Sequence, residues 1–157
     1  MGIQVLKNWL ASRPRSKPAT TVVLHATGGE SATGAISWLR KIKLSYHYII
    51  AKDGEVIKCV PTGRVAFHAG KSRGPDGENV NAYSIGISFA NRNDGRDPYT
   101  SAQVQACRDL MFELKRNIPT LEWLTTHRAI APLRKTDPKG FLCSGVNGPG
   151  LKMWGCK

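Results

Sequence analysis

Acidic residues are scarce in this sequence of 157 residues, which contains 11 Asp and Glu against 23 Lys and Arg and has a formal net charge of +12. A positive excess this large favours anionic partners such as nucleic acid, acidic lipid or an anionic cell wall, without choosing among them. The composition is otherwise that of a globular protein, with 41% hydrophobic and 22% charged residues. It excludes disorder for most of the chain.

Long apolar runs are also lacking, because no stretch approaches the roughly 18 consecutive apolar residues that a transmembrane helix needs. The N-terminal apolar stretch is interrupted by Gln4, Lys7 and Asn8, so we predict no signal peptide and synthesis in the cytoplasm. The four cysteines form no CxxC pair and no zinc-finger spacing. We expect reduced thiols, with a disulfide between Cys143 and Cys156 as the open alternative.

Hydrophobic periodicity predicts alternating strands and helices along the chain. Strands are predicted at 21–25, 46–50, 56–60, 84–89 and 123–127, and helices at 3–10, 32–41 and 100–117. This alternation favours a single α/β domain over residues 1–157, with a central mixed β-sheet flanked by helices. Residues 1–20 would form an N-terminal extension packed on the body, and residues 144–157 a loop-rich tail.

Two of the four histidines, His25 and His127, end predicted strands, and Asp137 follows in a proline-bounded segment that stays non-helical. Because sites in open α/β sheets form outside the strand ends, these three side chains could converge there. Two imidazoles and one carboxylate with an open fourth position make a catalytic zinc set. A non-haem iron site uses the same ligand types, and a histidine at a strand end is often only a hydrogen-bonded structural residue. Spacing alone leaves all three interpretations open.

Five sequence blocks occur in a fixed order between residues 20 and 143. They are VVLHAT at 22–27, YHYII with a following DG at 46–54, AFHAG at 66–70, SIGI at 84–87, and HRAIAP with a following RKTDP at 127–138. In this order the chain resembles the type 2 N-acetylmuramoyl-L-alanine amidases, relatives of peptidoglycan recognition proteins and of phage lysozyme-amidases. Five ordered blocks make the resemblance far more specific than any single motif.

The resemblance implies zinc-dependent hydrolysis of the amide bond between N-acetylmuramic acid and L-alanine in peptidoglycan. The family's zinc ligands fall on His25, His127 and Asp137. Its lysine, which stabilises negative charge on the reacting carbonyl, falls on Lys135. Its tyrosine, which positions water or the carbonyl, falls on Tyr46. The family fold, a mixed sheet flanked by helices, agrees with the periodicity.

The resemblance also implies substrate contacts and one departure. His68 lies in the block that lines the substrate groove in relatives, and Thr126 either orients substrate or pairs within its strand. The muropeptide-recycling amidases carry a glutamate after Gly-Ile, where this chain has Ser88. The role of general base would then belong to Tyr46 or to the zinc-bound hydroxide itself.

A basic catalytic domain without a predicted signal peptide suits a phage endolysin, a monomer that degrades peptidoglycan in the periplasm or cell wall. Its charge would attract it to the anionic cell-envelope surface. Two other function classes stay open. A metal-free peptidoglycan-binding module is disfavoured by the intact Asp137 and Lys135. A basic nucleic-acid-binding protein is disfavoured because the sequence has no helix-turn-helix, RNP-like or finger pattern, so no nucleic-acid partner is expected.

Overall fold

The computed structural model describes residues 2–157. The strands are β1 (Ile3–Val5), β2 (Ser12–Pro14), β3 (Thr21–Ala26), β4 (Tyr48–Ile50), β5 (Val56–Lys58), β6 (Arg64–Ala66), β7 (Arg73–Gly74), β8 (Gly77–Glu78), β9 (Ser84–Phe89), β10 (Trp123–Thr126) and β11 (Lys152–Met153). The α-helices are α1 (Ala32–Ile42), α2 (Ser101–Asn117) and α3 (His127–Ile130).

Seven of the strands form one mixed sheet in the order β1-β5-β4-β9-β3-β10-β11. β3 lies in its interior, parallel to β9 on one side and to β10 on the other. β4 and β5 form the antiparallel hairpin that the Asp-Gly turn predicts. A central mixed sheet with flanking helices confirms the predicted fold class.

Alternating residues of the central strands separate the two faces of the sheet. Val22 and Leu24 of β3 pack in one cluster with Leu110 of α2. Val23 lies on the opposite face, in a cluster with Ile130 of α3. α1 packs on this second face through a third cluster, which contains Ala32 and Leu39 of the helix and Ile49 and Ile57 of the hairpin. The helices therefore cover both faces of the sheet.

α2 begins with a capping box formed by Thr100 and Gln103. The Thr100 hydroxyl accepts a hydrogen bond from Gln103 N at 3.0 Å, and the Gln103 side chain accepts one from Thr100 N at 3.1 Å. Gln103 Nε2 also donates to the carbonyl oxygens of Ile50 and Ala90 at 3.1 and 3.0 Å. The cap thus fixes the helix start against the ends of β4 and β9.

The predicted helix at 3–10 is wrong, because Ile3–Val5 form β1, an edge strand parallel to β5. A helix of this length is marginal by itself, whereas the extended chain pairs with the open edge of β5. Beyond the strand, the backbone N–H groups of Leu6 and Leu10 donate to the carbonyl oxygens of Lys58 and Cys59, both at 3.0 Å. Tertiary pairing therefore overrides the local helical pattern.

The C-terminal residues extend the opposite edge of the sheet. β11 pairs in parallel with β10, so the region predicted to be loop-rich also contains a short strand. Leu151 just before it is buried. The four cysteines are free thiols. Within residues 2–157, the helices are all too short or too polar to cross a membrane.

Candidate metal centre

Three chain segments bring His25, His127 and Asp137 together. His25 is the penultimate residue of β3, and His127 follows β10 directly as the first residue of α3. Because β3 and β10 are parallel neighbours, their carboxyl ends lie side by side, as the strand-end argument predicts. The segment after α3 supplies Asp137, whose carbonyl oxygen accepts a hydrogen bond from Arg128 N at 2.8 Å.

The ligand-type atoms of the three residues form a compact cluster. His25 Nδ1 lies 3.0 Å from His127 Nδ1. The two carboxylate oxygens of Asp137 lie 3.4 Å from His25 Nδ1 and 3.2 Å from His127 Nδ1. An ion with tetrahedral bonds of about 2.0–2.1 Å separates its ligand atoms by about 3.3 Å. These contacts are close to that separation, so the spacing of the cluster is compatible with a tetrahedral zinc ion, and all three residues are buried.

Hydrogen bonds on the far side of the rings aim both Nδ1 atoms into the cluster. His127 Nε2 lies 3.2 Å from the carbonyl oxygen of Ala69, which can only accept, so Nε2 carries the ring proton and Nδ1 keeps its lone pair. His25 Nε2 lies 2.9 Å from His68 Nδ1, and His68 Nε2 lies 3.1 Å from Ser84 Oγ. Outer hydrogen bonds of this kind orient metal-ligating histidines. Two imidazole nitrogens that face each other beside a carboxylate form a donor set that a cation can stabilise.

The side of β9 that faces the histidines is built from small residues. Its large residues pack on the α2 face of the sheet, and the small ones lie opposite: Ser84, Gly86 and Ser88. Gly86 is required here, since a β-carbon at this position would lie 2.7 Å from His68 Cγ. His47 Nδ1 accepts a hydrogen bond from Gly86 N at 3.0 Å, and its Nε2 lies 2.8 Å from Arg64 O. Both ring nitrogens of His47 are thus engaged by backbone groups, and His47 has a structural role.

The electrostatics of the cluster suit metal binding. Burial, followed by the neighbouring His127, lowers the pKa of His25 to about 4, so its imidazole is neutral at pH 7. Burial by itself would raise the pKa of Asp137, but its close contacts with the His127 and His25 imidazoles outweigh burial and hold that pKa well below its usual range. Asp137 also accepts a hydrogen bond from Ala26 N at 3.2 Å. Neutral imidazole and ionised carboxylate are the protonation states that a metal ion requires.

The two predicted catalytic residues lie beside the cluster. Tyr46 and Lys135 line a cavity of about 140 Å³, together with His127. The Tyr46 ring centroid is 4.9 Å from that of His25. Burial raises the pKa of Tyr46 to about 12, so its hydroxyl keeps its proton at neutral pH. The cavity is thus lined by a protonated phenol and an ammonium group.

A larger cavity of about 660 Å³ adjoins this one and shares Gly70 and Arg134 with it. Lys71 and Arg73 also line it. Arg134 donates to the carbonyl oxygens of Ala69 and Lys71 at 3.0 and 2.7 Å. It therefore holds the loop whose Ala69 carbonyl orients His127. Sequence reasoning missed this residue, although its place next to Lys135 in the last block was a usable signal.

The two predicted substrate-binding residues differ in their placement. His68 lines the smaller cavity, but it is only 7% exposed and both its ring nitrogens contact protein groups. Thr126 Oγ1 accepts a hydrogen bond from Ala129 N at 3.1 Å and lines a separate cavity with Trp154 and Cys156. The structure therefore brings His68 to the cluster of His25, His127 and Asp137 as a partner of His25, and does not bring Thr126 there.

Ser88 is the residue at which we expect the chain to differ from the muropeptide-recycling amidases. It lies directly opposite His25 in the register of β3 and β9. Its Oγ is buried and, within the described part of the chain, has no hydrogen-bond partner. The described residues that line the smaller cavity include no carboxylate. The described residues therefore place no carboxylate in this cavity as a candidate general base.

The family profile described as N-acetylmuramoyl-L-alanine amidase matches residues 15–140 of the chain. The 1,6-anhydro-N-acetylmuramyl-L-alanine amidase AmpD of Salmonella typhimurium is 38% identical over 100 residues, which cover 62% of this chain and 51% of that protein. The chain thus spans about half the length of the relatives it matches in this way.

Solved structures share the fold. The crystal structure of a selenomethionine derivative of AmpD has a TM-score of 0.77 at 26% identity, with 92% of each chain covered. The endolysin of the Thermus scotoductus bacteriophage Ph2119 has a TM-score of 0.69 at 20% identity, with 90% of each chain covered. At this lower identity the likeness to the endolysin concerns the fold alone.

Proposed function

Because the chain belongs to the N-acetylmuramoyl-L-alanine amidase family, we propose that it hydrolyses the amide bond between N-acetylmuramic acid and L-alanine in peptidoglycan. The observation that carries this proposal is the convergence of His25, His127 and Asp137, whose ligand-type atoms lie within 4.8 Å of one another. They lie beside a cavity lined by Tyr46 and Lys135. Amide hydrolysis needs activated water and a group that receives negative charge on the carbonyl oxygen.

Zinc is the metal that we propose for this site, held by His25 Nδ1, His127 Nδ1 and the Asp137 carboxylate. The contacts of 3.0, 3.2 and 3.4 Å among the two Nδ1 atoms and the two carboxylate oxygens suit the ion, and three protein ligands leave the fourth position open, as in catalytic zinc sites. When bound, zinc supplies an acidified water as nucleophile and polarises the scissile carbonyl. His68 and the Ala69 carbonyl act as positioning groups, since they hold the two imidazoles by their Nε2 atoms.

The remaining chemistry falls on residues of the two cavities. The Lys135 ammonium stabilises the negative charge that develops on the carbonyl oxygen, and the protonated Tyr46 hydroxyl donates a hydrogen bond to the same oxygen or to the attacking water. The larger cavity receives the stem peptide. The negative charges of the stem-peptide carboxylates would be complemented by three cationic residues of the cavity wall: Lys71, Arg73 and Arg134.

The experiment that tests the function is the metal content of the purified protein, measured beside the release of L-alanine amino termini from peptidoglycan. We expect about one zinc per chain, loss of release with a chelator, and recovery when zinc is restored. Zinc without release would contradict the amidase and favour a recognition module. Release that ignores the chelator would contradict the metal centre, and iron in place of zinc would contradict the choice of ion.

Replacing Tyr46 with phenylalanine should slow hydrolysis about 100-fold, the usual cost of losing one donor to a developing oxyanion. Zinc content should stay unchanged, because the ring can still pack against His25. The matched control is Tyr48→Phe, since Tyr48 lies in the core cluster on the α2 face and should tolerate the change. Turnover and bound zinc are measured for both variants. Equal rates for the parent and Y46F would remove Tyr46 from the mechanism.

Polymeric wall peptidoglycan, as cleaved by a phage endolysin, is the working substrate in this proposal. The net charge of +12 supports it, because the wall and the envelope surface are anionic, and so does Ser88 in place of the recycling glutamate. The protein would act as a monomer and without nucleic acid. Turnover on whole sacculi is compared with turnover on a soluble 1,6-anhydromuropeptide at equal bond concentration. Faster cleavage of the soluble fragment would instead indicate that 1,6-anhydromuropeptides are the preferred substrate, as the name of the AmpD relatives states.

A further inference from the structure

The end of α1 and the residues that follow it expose apolar and cationic side chains together. In the stretch WLRKIKL at 38–44 only Leu39 is buried. Trp38, Ile42 and Leu44 are 60%, 39% and 46% exposed. The three cations of the stretch are exposed as well: Arg40, Lys41 and Lys43. We call these six exposed residues the α1 surface.

The charge of the α1 surface is uncompensated. No acidic residue occurs between Glu30 and Asp53 in the sequence. Arg40 is held by the backbone, since its NH2 group donates to Asn8 O at 2.7 Å. Lys41 and Lys43 form no salt bridge with any residue of 2–157. Two free ammonium groups therefore border an exposed indole and two exposed aliphatic side chains.

This combination differs from an ordinary solvated helix face. Single exposed apolar residues are common, but three within seven residues form a patch that gains free energy when water is excluded from it. A soluble anionic polymer would bind the cations but would leave the apolar side chains exposed to water. A bilayer interface uses both, because indole and aliphatic groups enter the headgroup boundary while lysines bind its phosphates.

We propose that the α1 surface docks on an anionic phospholipid bilayer, with Trp38 and Ile42 in the headgroup layer and Lys41 and Lys43 on lipid phosphates. Leu44 belongs to this surface and also lines the cavity beside the metal centre. Docking would therefore hold the centre next to the membrane. The inference specifies the anionic envelope partner, and it rests on the proposed function only for the compartment in which binding matters.

The test is co-sedimentation of the full chain with vesicles of phosphatidylglycerol and phosphatidylethanolamine, compared with phosphatidylcholine vesicles. We expect binding to the anionic vesicles alone, weakened by salt. The variants K41Q/K43Q and W38S/I42S should each lower affinity about tenfold or more. The matched control R96Q/R116Q removes two cations from exposed positions outside α1 and should change affinity by less than about threefold, since these cations do not belong to the docking surface and salt screens their long-range attraction.

Two outcomes would overturn the inference. An equal loss in R96Q/R116Q and K41Q/K43Q would mean that net charge alone governs binding. Full affinity in W38S/I42S would mean that a polyanion, not a bilayer, is the partner. Hydrolysis of lipid-free peptidoglycan is measured in parallel and should be equal in the parent and all three variants, which shows that they are folded. If even the parent fails to hydrolyse it, the proposed function fails while the vesicle result stands.

Discussion

Replacing Asp137 with alanine should reduce peptidoglycan hydrolysis more than about 100-fold and remove most of the bound zinc. Loss of an outer partner of a metal ligand already costs about 10–100-fold in affinity or activity, and Asp137 lies within 3.4 Å of the Nδ1 atoms of both histidines. Without the carboxylate, His25 and His127 would offer a cation two neutral ligands and no negative charge. Metal content and turnover should therefore fall together.

Thermal unfolding gives this prediction a readout that does not depend on turnover. Zinc that binds only the folded protein should stabilise it by about 2.7 kcal/mol at a free concentration 100 times its Kd. For a chain of this size that corresponds to a rise in Tm of about 5–11 °C. We expect the rise in the parent and its absence in D137A. The control Asp109→Ala removes an exposed carboxylate from α2 and should keep the full zinc-dependent rise.

Asp137 also accepts the hydrogen bond of Ala26 N at 3.2 Å, so D137A could lose stability for a reason unrelated to metal. Asp137→Asn addresses this, because its amide oxygen can still accept from Ala26 N while the charge is gone. D137N should fold, should show no zinc-dependent rise in Tm, and should still lack activity. Activity at the parent level in D137N, with zinc retained, would contradict the assignment of Asp137 as a ligand.

The convergence of His25, His127 and Asp137 could be predicted from the sequence because it depends on the direction of the strands. The buried run ending at His25 and the run ending at His127 are both β-branched and apolar, as central parallel strands are. Parallel neighbours end at the same edge of a sheet, so the two histidines meet without any local motif. The proline-bounded segment then needs to reach only that edge to bring Asp137 to them.

The hydrogen-bond partner of His25 could not be predicted from strand direction. The contact of His68 with His25 joins residues 43 positions apart and depends on the absence of a β-carbon at Gly86. Periodicity identifies a strand at 84–89 but does not reveal which small residue makes room for a ring. The helix predicted at 3–10 failed for a related reason, because the free edge of β5 that captures β1 is a property of the assembled sheet.

Replacing Lys135 with methionine should lower kcat for peptidoglycan hydrolysis about 100–1000-fold, the range found when one oxyanion-stabilising group is lost. Methionine keeps most of the aliphatic stem that lines the cavity and removes the charge. An interaction made only in the transition state changes kcat and leaves KM almost unaltered. Zinc content should equal that of the parent, because Lys135 is not among the residues that could hold the ion.

The conservative variant separates charge from shape. Lys135→Arg keeps a positive charge at the cavity and should recover at least about tenfold in kcat over K135M, while Arg116→Met, which removes a cation from the exposed end of α2, should behave as the parent. If K135M raised KM with kcat unchanged, Lys135 would be a substrate-binding residue, since uniform binding affects KM alone. Equal kcat in K135M and the parent would contradict the role of Lys135 in stabilising the developing negative charge. That role would then fall to the Tyr46 hydroxyl.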